Sequence, residues 1–298
     1  MRLLLYIFLS FILLPSTLSS NEDRVNYVSV GEKGVILISN DGINWKKITR
    51  TISGHNYEVF FENNTFVIIG QYGSILTSVD GIVWDEINKQ DHNELSGITY
   101  GNGKFIVVQR QGGVLSSLKG DKWELINLDY NINFDNVFFA NSIYFGIDGR
   151  TILQSKDGIN WELYEVGVSG LFNLQSGVYG KDKYVLVGNN VIANSENGIE
   201  WNVQRYNVNE FNHITFSGKF FLITGTHGLI FFSDNGENWY KCDDKLCNKF
   251  NNFNSSIFSN GKFIVVGNNG LIIHTEDLIK WKSSPKVTKY DLYSIVKR

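Results

Sequence analysis

Tryptophan recurs through this chain at near-constant intervals. Trp45, Trp84, Trp123, Trp161, Trp201, Trp239 and Trp281 are separated by 39, 39, 38, 40, 38 and 42 residues, and no tryptophan lies outside the series. A period near forty residues means one supersecondary unit repeated, each copy burying its apolar faces against its neighbours. Six residues before each tryptophan stands a hydroxyl: Ser39, Ser78, Ser117, Ser155, Ser195, Ser233 or Thr275. Between the two lies Asp41-Gly42, Asp80-Gly81, Asp157-Gly158, Asn197-Gly198 or Asn235-Gly236; the third and seventh copies depart from this, with Lys119-Gly120 and Asp277-Leu278. Asp-Gly or Asn-Gly between two β-rich runs marks a hairpin turn, because both residues tolerate positive φ.

Each repeat divides into four short runs rich in Val, Ile, Phe and Tyr. In the second these are Tyr57 to Glu62, Thr65 to Gln71, Ser74 to Val79 and Val83 to Ile87. Four strands per forty residues is the unit of a propeller blade. The chain has 29 glycines against two prolines, 14% aromatic residues and no sustained 3.6-residue apolar stripe, so an all-β fold is expected. The first repeat opens at its second strand, Asn26 to Gly31, while Leu292 to Lys297 reads as an orphan first strand. The expectation is therefore a seven-bladed β-propeller of four-stranded blades over 21–298, closed where the C-terminal strand completes the first blade.

The repeated polar residues have a structural reading. Asp41, Asp80, Asp157, Asn197 and Asn235 cap backbone donors in their own turns, and Trp45, Trp84, Trp161, Trp201 and Trp239 fill the space between neighbouring blades. The pattern Ser-x-Asp-Gly-x-x-Trp, whole in Ser39 to Trp45, Ser78 to Trp84 and Ser155 to Trp161, resembles the Asp-box, also called the BNR repeat. The runs Tyr27 to Gly34 and Phe263 to Gly270 resemble the same propeller superfamily in its secreted bacterial members and in photosystem II assembly factors. The resemblance spans about residues 25 to 298 and implies the propeller fold. It leaves function open among sialidases, xyloglucan-cleaving hydrolases, sorting-receptor ectodomains, lectins and assembly factors. It also implies that the boxes lie on the turn between third and fourth strands, remote from the usual active face.

The search for a site therefore moves to the opposite face. Its turns between second and third strands carry Lys33, Tyr72, Arg110, Asp148, Arg150, His227 and Asn269, and its connectors add His55, His92, Tyr130, Tyr206 and Lys289. Converging around a central channel, these make a polar, aromatic-rimmed pocket suited to a sugar or a peptide. The leading expectation is a secreted, non-catalytic, monomeric propeller binding a glycan or a protein partner on that face. The alternatives are a glycoside hydrolase and an assembly factor for an envelope complex.

Signals for chemistry are weak. The resemblance implies that a sialidase would need an arginine cluster and a tyrosine nucleophile, and the arginines past the leader, Arg24, Arg50, Arg110, Arg150, Arg205 and Arg298, are dispersed. Another glycosidase would use two carboxylates about 5 to 10 Å apart, for which Asp91, Glu94, Asp135, Asp148 and Glu210 are positioned. No Gly-x-Ser-x-Gly elbow, P-loop, EF-hand loop or His-Glu-x-x-His occurs, and His55, His92, His213, His227 and His274 are scattered among different repeats. No cofactor or metal is expected. A formal charge of -3 supplies no basic field for nucleic acid.

Residues 1–20 read as a secretory signal: Arg2 in the n-region, an apolar stretch from Leu3 to Leu14 and a small polar cleavage region from Pro15 to Ser20. That stretch is too short for a comfortable membrane span, so export to the periplasm or the exterior without stable membrane insertion is expected. Cys242 and Cys247 are then expected to form a disulfide in an oxidising compartment.

Overall fold

The computed structural model describes residues 25–49, 54–88, 93–128, 132–166, 173–248 and 250–298. The expected leader lies outside them, as do Asp91, His92 and Tyr130. The described chain is all-β: antiparallel strands alternate with tight turns, and the only helical segments are single 3-10 turns such as Glu32–Gly34. Five sheets have four strands and a sixth has six. No helix among the described residues is long and apolar enough to cross a membrane.

The second strand of a repeat shows why the sequence folds this way. In Thr65–Gly70 the apolar residues run without a break, because both faces of the strand are covered. Phe66 and Ile68 enter one core with Val28, Val30 and Ile36 of the preceding sheet, while Val67 and Ile69 enter the next with Leu95, Ile98 and Phe105 of the following one. Ile264 and Val266 likewise face Tyr27, Leu37 and Trp45, whereas Val265 faces Leu222 and Ile230. Each fully buried side chain of this kind contributes about 1.5–3 kcal/mol. The cores are thus stacked between successive sheets, and one of them joins the last sheet to the first.

The C-terminal strand Leu292–Lys297 pairs antiparallel with Tyr27–Gly31, Val28 opposite Val296 and Ser29 opposite Ile295. It supplies the missing first strand of the opening sheet, whose order runs from the C-terminal strand through Tyr27–Gly31 and Ile36–Ser39 to Lys46–Lys47. The six-stranded sheet departs from the four-strand expectation. Its strands Lys183–Ser195 and Asn202–Phe216 each run through a point where the partner changes. Up to Gly188 the first pairs with Leu174–Gly180, and from Asn189 it pairs with the second, with a register shift across Asn190, at φ 53°. From Phe211 the second pairs with Phe221–Gly225, so one strand belongs to two repeats.

Cys242 and Cys247 form a disulfide with Cα atoms 6.1 Å apart. It closes a short loop after the Tyr240–Lys241 strand and packs with Leu222, Ile230 and Leu246.

Candidate binding site

The hairpin turns that precede each tryptophan satisfy themselves. In the first, Ser39 Oγ donates to Asp41 Oδ1 at 3.0 Å and accepts from Gly42 N at 2.9 Å. Asp41 Oδ1 accepts from Ile43 N and Asn44 N, at 2.8 and 2.7 Å. Burial opposes ionisation of Asp41, but these hydrogen bonds outweigh it and hold the carboxyl at about 2. Asp157 repeats the set and is also held well below the carboxylate range, first by Asn160 N. Asn197 and Asn235 offer a neutral amide oxygen to the same donors. The tryptophans pack inward: Trp45, Trp84, Trp161 and Trp281 are buried, and Trp123, Trp201 and Trp239 half-buried. Clefts of about 430 and 330 Å³ border Asp157 and Asp80, whose carboxylates already serve their own turns.

Antiparallel pairing puts the turns between second and third strands at the other end of each sheet. Lys33, Tyr72, Asn190, His227 and Asn269 occupy equivalent positions there with φ between 53° and 61°. In four of these turns a glycine with positive φ follows, as a type I′ turn requires. The preceding glycines have a different reason to be glycine. A Cβ on Gly31, Gly70, Gly188, Gly225 or Gly267 would collide with the carbonyl oxygen of Asp291, His55, Asn173, Glu210 or Asn252, the residue that opens the adjacent strand. The amide after each glycine donates to that same carbonyl, Gln71 N to His55 O at 2.9 Å and Asn268 N to Asn252 O at 3.0 Å.

This close approach holds the start of each first strand against the turn of its own sheet, and two of these starts meet. At their outer ends His55, Tyr57 and Tyr293 form a triad: His55 stacks on Tyr57 with centroids 6.3 Å apart, and Tyr293 lies 6.2 Å from His55 and 6.5 Å from Tyr57. Burial raises both tyrosines' pKa, and nearby carboxylates add to it, Glu94 for Tyr57 and Asp291 and Glu32 for Tyr293. Arg110 acts in the opposite direction on Tyr57 while lying 3.6 Å from Glu94 and 3.9 Å from Asp135. Tyr72, 58% exposed, stands over Gly54 beside this group. Lys33 and Lys289 direct their ammonium groups to the Tyr290 ring, at 5.3 and 5.9 Å.

One residue further along the strands lies a polar belt. Glu58 Oε2 accepts from Ile98 N at 3.1 Å, Ser294 Oγ from Val59 N at 3.2 Å and Ser176 Oγ from Ile214 N at 3.3 Å. His213 Nδ1 meets Ser256 Oγ at 3.3 Å. Enclosure by protein pushes the Glu58 carboxyl up to about 8 against the pull of the Ile98 amide, and it holds the His213 imidazole down at about 4. Both side chains nonetheless keep some accessible surface.

The sequence-derived candidates divide into groups. Lys33, Tyr72 and Arg110 border the aromatic triad. Asp148 accepts from Asn133 N at 3.1 Å beside Asp135, and Arg150 is exposed in the same turn. His227 N donates to Asn252 Oδ1, and Asn269 N donates to Asp291 Oδ1, the carboxylate that also acts on Tyr293. Asn269 also lines a cleft of about 230 Å³ with Phe250 and Lys286. Tyr206 packs against Phe211 and Phe231 as part of a core. Tyr57, Glu58 and Tyr293 were not among the candidates. The signal for the two tyrosines was available: at the second position of the opening run, where Ser96, Asp135, Gln175, Asn212 and Asn254 also stand, the residue is polar or aromatic in every repeat. Among the described residues no group of three or more His, Cys, Asp and Glu side chains is placed to hold a metal.

No protein-family model matches the chain, and no curated protein matches it. Solved structures do. YCF48 bound to a D1 peptide superposes with a TM-score of 0.70 at 19% identity, over 85% of this chain and 88% of that one. YCF48 from Cyanidioschyzon merolae gives 0.66 at 16%, over 84% and 91%. The β-propeller domain of Cps50 (Swd1) from Myceliophteria thermophila gives 0.60 at 12%, over 81% and 90%. At these identities the likeness speaks for fold, and with the stacked four-stranded sheets it makes this chain a β-propeller.

Proposed function

We propose that the sheets close into a seven-bladed ring around a central channel, and that the protein is an exported, non-catalytic scaffold binding a segment of a protein partner at the aromatic mouth. Closure is supported by the hydrogen bonds between first strands. Ser294 to Val59, Glu58 to Ile98, Ser96 to Phe134, Asn136 to Gln175, Ser176 to Ile214, Asn212 to Phe253 and Asn254 to Leu292 form a series that returns to its start. Export rests on the leader-like N-terminus and agrees with the disulfide.

The observation that carries the binding reading is the His55–Tyr57–Tyr293 triad with exposed Tyr72 beside it. Aromatic side chains on a rigid strand scaffold offer large contact area at low entropic cost. That a solved neighbour is described as bound to a peptide fits such a ligand. The non-catalytic reading is supported by the engagement of the candidate carboxylates, Glu94 and Asp135 with Arg110 and Asp148 with a backbone amide. Selection from a displayed random-peptide library, with a parallel glycan array and sugar-release assay, tests it. Enrichment of peptides that lose at least tenfold in affinity to Tyr57→Ala is expected. Sugar release, or glycan binding with no peptide enrichment, would contradict it.

A further inference from the structure

A second cleft lies where the turn Asn268–Gly270, the connector at 250–252 and the chain leaving Lys282–Ser283 come together, with a volume of about 230 Å³. Four asparagines line it, and each keeps hydrogen-bonding capacity. Asn252 Oδ1 accepts from His227 N and Asn268 Oδ1 from Asn254 Nδ2, which leaves both of their Nδ2 groups to donate. Asn251 gives Nδ2 to Leu246 O at 2.8 Å and keeps Oδ1. Asn269 is held through its main chain, and its side-chain amide has no hydrogen-bond partner among the described residues. Ser284 also lines the cleft; it is 7% exposed, and its enclosed Oγ lacks a partner. Phe250 stands at the rim, 84% exposed, more than any other large apolar side chain among the described residues. The loop beyond the Cys242–Cys247 bridge presents it: Phe250 N donates to Asn248 Oδ1 at 3.0 Å and Asn251 N to Asn248 O at 3.1 Å. Ring and amides are thus held in place before a ligand arrives.

We infer that this cleft binds one neutral sugar ring. A sugar hydroxyl both donates and accepts, so neighbouring hydroxyls match side-chain amides that offer a donor at one point and an acceptor at the next. The apolar C–H face of the sugar suits the Phe250 ring. Sites for drug-sized ligands measure roughly 300–1,000 Å³, and the smaller cleft here limits the occupant to a single ring. An extended peptide spreads its polar groups along a line at about 3.3 Å per residue and needs a longer groove. Lys286 is the only charged residue among those lining the cleft, and Asp291 beside Asn269 offsets it, so neither sign of charge is favoured. The site is separate from the aromatic mouth and goes beyond the partner reading.

The test titrates the purified protein with methyl glycosides of glucose, galactose, mannose and N-acetylglucosamine, followed by NMR shifts of the asparagine side-chain amides. Two control rings accompany them: methyl glucuronoside, which is charged, and cyclohexylmethanol, which lacks neighbouring hydroxyls. At least one neutral glycoside is expected to bind with a Kd of about 1–10 mM, about fivefold or more tighter than either control. Phe250→Ala should weaken that binding by a similar factor. Ser284→Ala should weaken it too, without lowering the thermal midpoint, because it removes a hydroxyl that folding leaves unpaired. Tyr57→Ala, directed at the mouth, should leave it unchanged. Equal binding of cyclohexylmethanol, tighter binding of the glucuronoside, or shifts that survive Phe250→Ala would overturn the neutral-sugar site. No shift with any glycoside would overturn it as well, while peptide binding that depends on Tyr57 would still stand.

Discussion

The Glu58 carboxyl group accepts the main-chain N–H of Ile98 at 3.1 Å, across the boundary between two sheets. One enclosed acid thus helps to hold neighbouring sheets together in its protonated state, because enclosure raises its pKa from 4.5 to about 8. Between those values the folded protein keeps a proton that the unfolded chain releases. Stability should therefore fall as pH rises from about 4.5 and level off above about 8. At about 1.4 kcal/mol per pKa unit, discounted for the solvent Glu58 still meets, the loss is about 3 kcal/mol. Urea unfolding of Glu58→Gln should lack most of this alkaline loss. His213 works in the opposite sense: neutral in the fold, it costs stability as pH falls from 6.5 towards about 4.

The hairpin turns need an acceptor, and the repeats fill that place with a carboxylate or with a neutral amide oxygen. Asp157 Oδ1 takes Ile159 N and Asn160 N at 2.9 and 2.8 Å, and Asn197 makes the equivalent pair at 2.9 Å with an amide oxygen. Asp157→Asn should change the thermal midpoint little at neutral pH, whereas Asp157→Ala should cost about 1–2 kcal/mol by leaving two turn amides without their acceptor. Equal losses in the two variants would show that the charge matters.

The C-terminal residue fastens the seam. Arg298 N donates to Asn26 O at 2.7 Å, and its guanidinium donates to Val79 O at 2.6 Å while lying 5.4 and 5.6 Å from the Phe61 and Phe66 ring centroids. Arg298→Ala should destabilise by about 1–2 kcal/mol. Hydrogen exchange should then speed up first in Tyr27–Gly31 and Leu292–Lys297. Uniform acceleration across all sheets would argue against a local seam.

A methyl group at Gly225 meets the Glu210 carbonyl, backbone against backbone. Gly225→Ala should cost more than 2 kcal/mol, about the scale of overpacking a rigid site. Gly261→Ala, where no atom lies within 4 Å, should cost only the strain of its positive φ, roughly 1 kcal/mol. Comparing the two midpoints separates close approach from conformational preference.

Much of this architecture is legible in the sequence because it repeats. Trp45 to Trp281 set the period, and the orphan run Leu292 to Lys297 pairs with Tyr27–Gly31 as its position suggests. The merged strands were not legible: nothing at Val203 or Tyr206 signals that Asn202–Phe216 changes partner without a break in extended backbone. The site was legible only in part. Tyr72 and Arg110 sit in turns, where side chains are expected to face solvent. Tyr57 and Tyr293 sit inside strands and read as ordinary β-formers, and they meet only because chain ends more than two hundred residues apart come together.

The most direct test places a photo-crosslinking benzoylphenylalanine at Tyr72, beside the mouth, and separately at Ile159, an exposed residue of a hairpin turn on the opposite face. A peptide selected from the displayed library is then bound and irradiated. The account predicts cross-links from position 72 and none from position 159. Cross-linking from 159 alone, or equally from both, would contradict the mouth as the site where the partner binds.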